Sequence, residues 1–212
     1  MLSWSLSDRL LCAVDNALKT LTVKPLGTGR PTPGAELPEP ALDEQATQEV
    51  VGLMRVNHAG EIAAQALYQG QALVAGRPAL YDFLSEAGRQ EADHLRWTQE
   101  RLASLGAKPS LLAPLWYAGA FCLGLGAARL GDKVSLGFLS ETERQVEAHL
   151  KSHLEKLPPQ DHKSMAIVQQ MMADEAQHGQ AARANGGEAL PQWAQAAMRQ
   201  SARLMTSTAY YV

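Results

Sequence analysis

The sequence predicts an all-α protein: a four-helix bundle with a long apolar crossover between its second and third helices and short extra helices at both ends. Three observations lead there. Apolar residues recur at helical spacing along most of the chain, and no stretch alternates in the β-branched manner of a strand. Glu91-Ala92-Asp93-His94 sets a carboxylate and an imidazole three residues apart, and Glu175-Ala176-Gln177-His178 repeats the pattern. Each copy follows a single glutamate on an apolar stripe, Glu61 by 30 residues and Glu143 by 32. Glu followed by Glu-x-x-His, twice over, is the ligand set of a two-metal carboxylate site between four helices.

Taken in order, residues 1–24 read as an amphipathic helix, with Leu6, Leu10, Leu11, Val14, Leu18 and Leu21 on one face. Its partner is the bundle, another subunit or a membrane surface. Residues 25–42 hold too many prolines and glycines for regular structure and read as an extended linker. The bundle then occupies residues 43–190. Its first helix starts after the N-cap Asp43 and ends near Ala75, before Gly76 and Pro78, with Met54, His58, Glu61, Gln65, Tyr68 and Ala72 facing inward. The second runs from Pro78 to about Leu105, with Leu84, Ala87, Glu91, His94, Thr98 and Leu102 inward. The third runs from Asp132 to about Leu157 and stops before Pro158-Pro159; Leu136, Leu139, Glu143, Val146 and Leu150 form its stripe. The fourth spans about Asp161 to Asn185, where Asn185-Gly186-Gly187 supplies a stop, and turns Val168, Met171, Glu175, His178 and Ala182 inward. Residues 191–212 form a shorter C-terminal helix and tail.

Composition narrows the function. At 212 residues the chain can bury a substantial core, and a net charge of −3 offers no attraction to nucleic acid. Two cysteines, Cys12 and Cys122, make no C-x-x-C pair, which points to a reducing, intracellular setting. The Met1-Leu2-Ser3-Trp4 start lacks the basic and apolar regions of a signal peptide.

Burying four carboxylates in one core is costly unless cations offset them. Two metal ions do so, with neutral imidazoles completing the set, and an oxygen and nitrogen donor set without thiolate suits iron or manganese. Glu61, Glu91 and His94 are expected to hold one ion and Glu143, Glu175 and His178 the other, with Glu91 and Glu175 bridging. Each histidine needs an outer acceptor, for which Asp93 and Asp174 are candidates. His58, three residues before Glu61, could be a ligand or a donor behind the ligands, with a core hydrogen bond favoured, and His162 is expected to be exposed. His149 and His153 stay open between surface and site, and Met165, Met171 and Met172 read as core.

The crossover, residues 109–130, carries no charge from Pro109 to Ala128, close to the roughly 20 apolar residues that span a bilayer. Spanning is excluded on geometry. If a dyad relates the two halves, the first and third helices are antiparallel and the second and third parallel. A crossing would then separate Glu91 and His94 from Glu143 and Glu175. The segment is therefore expected on the bundle end or dipping into one leaflet, with Trp116, Tyr117 and Phe121 as an interfacial anchor. The alternative is a crossover helix packed on the bundle or a partner subunit. Pro114, Gly119, Gly124 and Gly126 weigh against that alternative.

The runs Met54-Arg55-Val56-Asn57-His58-Ala59-Gly60-Glu61, Glu91-Ala92-Asp93-His94-Leu95 and Asp174-Glu175-Ala176-Gln177-His178 resemble the demethoxyubiquinone hydroxylase family of ubiquinone biosynthesis over roughly residues 43–185. The resemblance implies a ferritin-like di-iron monooxygenase that uses O₂ to hydroxylate the ring of a polyprenylated methoxy-methyl-benzoquinol. It implies two iron ions (Fe2+/Fe3+) on Glu61, Glu91, His94, Glu143, Glu175 and His178. It also implies a peripheral position on the cytoplasmic face of the cell membrane, where the quinol resides, and leaves room for partner enzymes and a homo-oligomer. His149 matches a histidine linked to reduction or substrate contact; the tyrosine that follows it in many members is Leu150 here. The rival readings are a ferritin-like iron-storage or detoxification protein, a hydroxylase of a modified tRNA base, and a non-catalytic scaffold for quinone-synthesis enzymes.

Overall fold

The computed structural model describes residues 6–23 and 25–212, and every regular element among them is a helix. Residues 1–5, which include the Met1–Trp4 start on which the signal-peptide reading rests, and residue 24 of the predicted N-terminal helix lie outside the described residues. The helices are α1 (Leu6–Thr22), α2 (Glu44–Leu73), α3 (Pro78–Ser104), α4 (Ala113–Arg129), α5 (Asp132–Leu154), α6 (His162–Ala184) and α7 (Gln192–Ala209). Local chemistry sets their ends. The Asp43 carboxylate caps α2 by accepting from Ala46 N, Pro78 occupies the first turn of α3, and the Asp161 carboxylate caps α6 through Ser164 N. The third bundle helix stops at Leu154, short of the expected Leu157; the chain then closes in a turn, with Leu157 N donating to His153 O.

Cross-helix bonds give the directions. Tyr68 meets Glu143 while Gln71 meets Ser135, so α2 and α5 are antiparallel. Gln90 meets His178 while Arg101 meets Ser164, so α3 and α6 are antiparallel as well. The short Val74–Arg77 connection makes α2 and α3 an antiparallel hairpin, and α3 therefore runs parallel to α5. This is the two-fold arrangement the duplicated motif predicts, and it obliges the chain to return the full length of the bundle.

The return is α4, and here the structure corrects the sequence reading. The apolar segment does not sit on the bundle end. It forms a helix packed lengthwise along α2, with Ala113, Tyr117 and Ala120 against Ile62 and Ala66. The glycines that argued against an ordinary packed helix are what permit the packing. A Cβ on Gly124 would collide with the Leu67 carbonyl, and one on Gly70 with the Phe121 carbonyl, so the two backbones touch where side chains would hold them apart. No described helix is long and apolar enough to cross a membrane. The outer face of α4 leaves Leu115 and Leu123 exposed, and the flanking Leu111 and Leu130 are exposed too.

Two apolar clusters fill the bundle, one either side of the charged belt. Val50, Leu53, Met54, Trp97, Leu102, Leu150, Ile167, Val168 and Met171 pack at one end; Tyr68, Leu80, Leu84, Ala87, Leu136, Leu139 and Ala182 pack at the other. Each fully buried leucine contributes about 1.5–3 kcal/mol. Met165 and Met172 lean on the first cluster, as expected of core residues, and His162 is exposed. The 25–42 segment is extended but docked: Thr32 donates to Glu100, and Glu39 pairs with Arg101 and Lys163, which straps it over the α3–α6 seam.

Replacing Gly124 by alanine should cost about 1–3 kcal/mol by overpacking. Gly119→Ala, at an open helical position, should be neutral or stabilising by up to about 1 kcal/mol. Urea unfolding of the two variants checks this; equal effects would contradict the close approach of α4 to α2.

Candidate metal centre

Glu61 on α2, Glu91 and His94 on α3, Glu143 on α5, and Glu175 and His178 on α6 are all buried at the same level of the bundle. The three-residue spacing within each Glu-x-x-His copy turns both side chains to one side of their helix. One donor atom each from Glu61, Glu91, His94 and Glu175 lies within 4.8 Å of the others, a grouping that could hold a metal ion.

The two histidines meet the carboxylates in the same way. His94 Nδ1 lies 3.0 Å from Glu91 Oε2, 3.2 Å from Glu175 Oε1 and 3.6 Å from Glu61 Oε2. His178 Nδ1 lies 2.7 Å from Glu91 Oε1 and 3.4 Å from Glu175 Oε2. Glu91 and Glu175 thus each offer one oxygen to either histidine, while Glu61 reaches His94 alone. Glu143 stands at the far side, where its Oε1 accepts from the Tyr68 hydroxyl at 2.7 Å.

Outside the ring the two halves differ. His94 Nε2 is 2.9 Å from Asp174 Oδ2, so one of the two predicted outer acceptors is in place. Asp93 is not the other. Its carboxylate points away from both histidines, towards Thr28, Gly29, Arg30 and Arg96. His178 Nε2 meets the amide oxygen of Gln90 at 2.9 Å instead. Gln90, Tyr68 and the 27–30 strap were not singled out for the site from sequence. Tyr68 fell on the inward stripe, but nothing in its spacing marked it as a donor to Glu143.

The remaining histidines lie apart from the ring. His58 is buried with Nδ1 unpartnered, so its expected core hydrogen bond is not made at that atom; burial pushes its pKa down to about 4 and keeps it neutral. The rings of His149 and His153 stand 4.0 Å apart. They line a cavity of about 730 Å³ with Glu49, Leu53, Lys156, Arg203 and Tyr210. Burial lowers their pKa values to about 4 and about 3.

The donor set fits a hard metal ion. Glu61 Oε2, Glu91 Oε1, Glu175 Oε2 and His178 Nδ1 are buried without an aligned hydrogen bond, the pattern of donors left for a cation. Both histidines direct Nδ1 to the ring and Nε2 to an oxygen behind it, an arrangement that fixes the tautomer in which Nδ1 is free to bind metal. Without metal, protons take that place. Burial raises Glu61 to about 8 and lifts Glu143 well above the usual carboxylate range. Burial opposes protonation of the histidines, but the adjacent carboxylates outweigh it, raising His178 to about 11 and His94 well above its ordinary value.

Because those groups hold protons at neutral pH and must release them to ligate, metal affinity should rise with pH. The expected slope between pH 6 and 8 is about one decade per pH unit for each proton released per ion. Calorimetric titration with manganese(II) or cobalt(II) in buffers of different ionisation enthalpy measures that release; a pH-independent affinity would contradict this account of the ring.

Comparison with known proteins places residues 48–209 in the family model described as Ubiquinone biosynthesis protein COQ7. The chain is 57% identical over 205 residues to a 3-demethoxyubiquinol 3-hydroxylase of Janthinobacterium sp., covering 97% of this chain and 98% of that one. It is 54% identical over 205 residues to proteins of the same name in Aromatoleum aromaticum and Nitrosomonas europaea, covering 97% of this chain and 99% and 98% of theirs.

Proposed function

The chain belongs to the Ubiquinone biosynthesis protein COQ7 family, and on that premise we propose that it is an O₂-dependent hydroxylase of the ring of 3-demethoxyubiquinol. One observation supports the reading: donor atoms of Glu61, Glu91, His94 and Glu175 gather within 4.8 Å of one another, His178 Nδ1 lies 2.7 Å from Glu91, and Glu143 is buried on the facing helix. The near full-length match to 3-demethoxyubiquinol 3-hydroxylases favours this reading over iron storage or a non-catalytic scaffold.

In this reading Glu61, Glu91 and His94 would hold one iron and Glu143, Glu175 and His178 the other, with Glu91 and Glu175, which face both histidines, placed to be shared between them. When bound, the iron pair supplies the electron transfer that O₂ activation needs. Overall, a ring C–H becomes C–OH, and the second oxygen atom leaves as water with two protons and two electrons from a donor. The protein's part is geometry and exclusion of water. Asp174 and Gln90 set the orientation of His94 and His178 through Nε2, and Tyr68 steadies Glu143. Trp97, its ring 5.2 Å from that of His94, and the clusters at both ends keep the belt dry.

The polyprenyl tail of such a substrate lies in a bilayer, and the exposed apolar faces of α1 and α4 fit a peripheral contact with it. Leu10, Leu11, Val14 and Leu18 of α1 are exposed beside the exposed leucines of α4, and Ala17 and Leu21 anchor α1 on the α2–α4 pair. The cytoplasmic face of the cell membrane is the proposed location. Residues 43–190 act as the di-iron bundle, with residues 1–24, 25–42 and 191–212 as its attachments.

Glu91→Gln or Glu175→Gln should remove iron binding and hydroxylation together, measured by metal analysis and by quinone mass spectrometry in cells lacking the native chain. The expected result is accumulation of the demethoxy quinone; a variant that keeps two irons and full activity would overturn the assignment.

A further inference from the structure

The segment before the bundle reaches the metal centre. Gly27 sits in the left-handed region (φ 59°), where any side chain would be strained, and a Cβ there would lie 2.8 Å from Asp93 N. That close pass brings the next three residues onto Asp93. Thr28 N and Gly29 N donate to Asp93 Oδ1 at 3.2 and 3.3 Å, and the Thr28 hydroxyl donates to Oδ2. Arg30 then joins two carboxylates: Nε donates to Asp93 Oδ2 at 3.1 Å and Nη1 to Asp174 Oδ2 at 2.8 Å. Its guanidinium lies over the Trp97 ring, 4.9 Å from the centroid, and its carbonyl accepts from Arg96 Nη2 and from Trp97 Nε1.

Asp174 Oδ2 is the atom that His94 Nε2 meets at 2.9 Å. Gln170 Nε2 holds the other oxygen, Oδ1, at 2.9 Å. The Asp174 carboxylate is therefore fixed from both sides, and Arg30 supplies the charged side. Among the described residues nothing equivalent backs His178, whose outer nitrogen meets the neutral oxygen of Gln90. A histidine hydrogen-bonded to a carboxylate is a stronger donor to its metal than one hydrogen-bonded to an amide. The two halves of the site, alike in their ligands, are unlike in what stands behind them.

We propose that residues 27–30 are part of the metal centre and that Arg30 is a positioning residue: it holds Asp174 against His94 Nε2, so that the His94 half binds its ion more tightly than the His178 half. This rests on the reading of the ring as a two-metal site. The strap lies outside residues 48–209, which the family model matches, but inside the 97% of the chain that aligns with the 3-demethoxyubiquinol 3-hydroxylase of Janthinobacterium sp..

The test is cobalt(II) titration of the metal-free full-length chain against a competing chelator, followed by the ligand-field absorption of the bound ions. Wild type should take up two ions with unequal affinity. Arg30→Met should weaken the tighter ion by about 10- to 100-fold, the usual cost of losing an outer-shell partner, and leave the weaker one unchanged. Arg30→Lys, which restores the charge, should recover most of the loss. Gln90→Glu, which gives His178 a carboxylate, should narrow the difference from the other side and does not depend on the strap. A role confined to tethering the strap predicts lower melting temperatures with both affinities intact, and that result would overturn the proposal. So would equal weakening of both ions, no recovery with lysine, or two ions of equal affinity in wild type. Uptake of fewer than two ions by wild type would sink the two-metal reading, and this proposal with it.

Discussion

Mutual repulsion among buried carboxylates is the constraint on which this molecule is built. Glu61, Glu91 and Glu175 present donors within 4.8 Å of one another. At the effective dielectric of a protein site, their three pairwise repulsions would total on the order of 10 kcal/mol if all were ionised. That is comparable to the entire net stability of a domain. Positive charge must offset that repulsion: burial and the neighbouring carboxylates raise the pKa values of Glu61, Glu143, His94 and His178, and the same cluster could hold a metal ion in place of their protons. A helical core that only had to be stable would place leucines at these four glutamates.

The architecture follows from bringing those six side chains to one level. Two antiparallel hairpins, α2–α3 and α5–α6, each deliver a glutamate and a Glu-x-x-His, and closing them face to face leaves α3 and α5 parallel. A parallel pair needs a connection as long as the bundle, and α4 provides it. Because α4 covers α2 closely, its inner face must be small, and Gly124 together with Gly70 on α2 supplies the space. The outer face is free of that demand and carries exposed leucines. An uncharged run of near-spanning length thus packs beside the bundle as a helix too short to cross a membrane.

Much of this was legible in the sequence. Asp43, Pro78 and Pro158-Pro159 mark helix boundaries by local chemistry, and Glu91, His94, Glu175 and His178 stand out because charged residues interrupt an apolar stripe twice in the same pattern. What escaped was everything set by contact across the fold. Gly124 read as a helix weakness because its partner, the Leu67 carbonyl, lies far away in the chain. Asp93 looked like a histidine acceptor from its neighbours in sequence, yet it serves the strap. Gln90 carries no signature of its own, and Arg30 sits in a proline- and glycine-rich stretch that reads as a linker. Periodicity reports which face a residue occupies. It does not report which side chain arrives from the opposite helix.

The central claim, that the ring is a two-metal site, is tested most directly by anomalous diffraction at the iron edge on crystals of the iron-loaded protein. Two peaks roughly 3.5–4 Å apart, flanked by Glu61, Glu91, His94, Glu143, Glu175 and His178, are the predicted result. A single peak, or iron bound elsewhere with this ring still closed on its own protons, would contradict it.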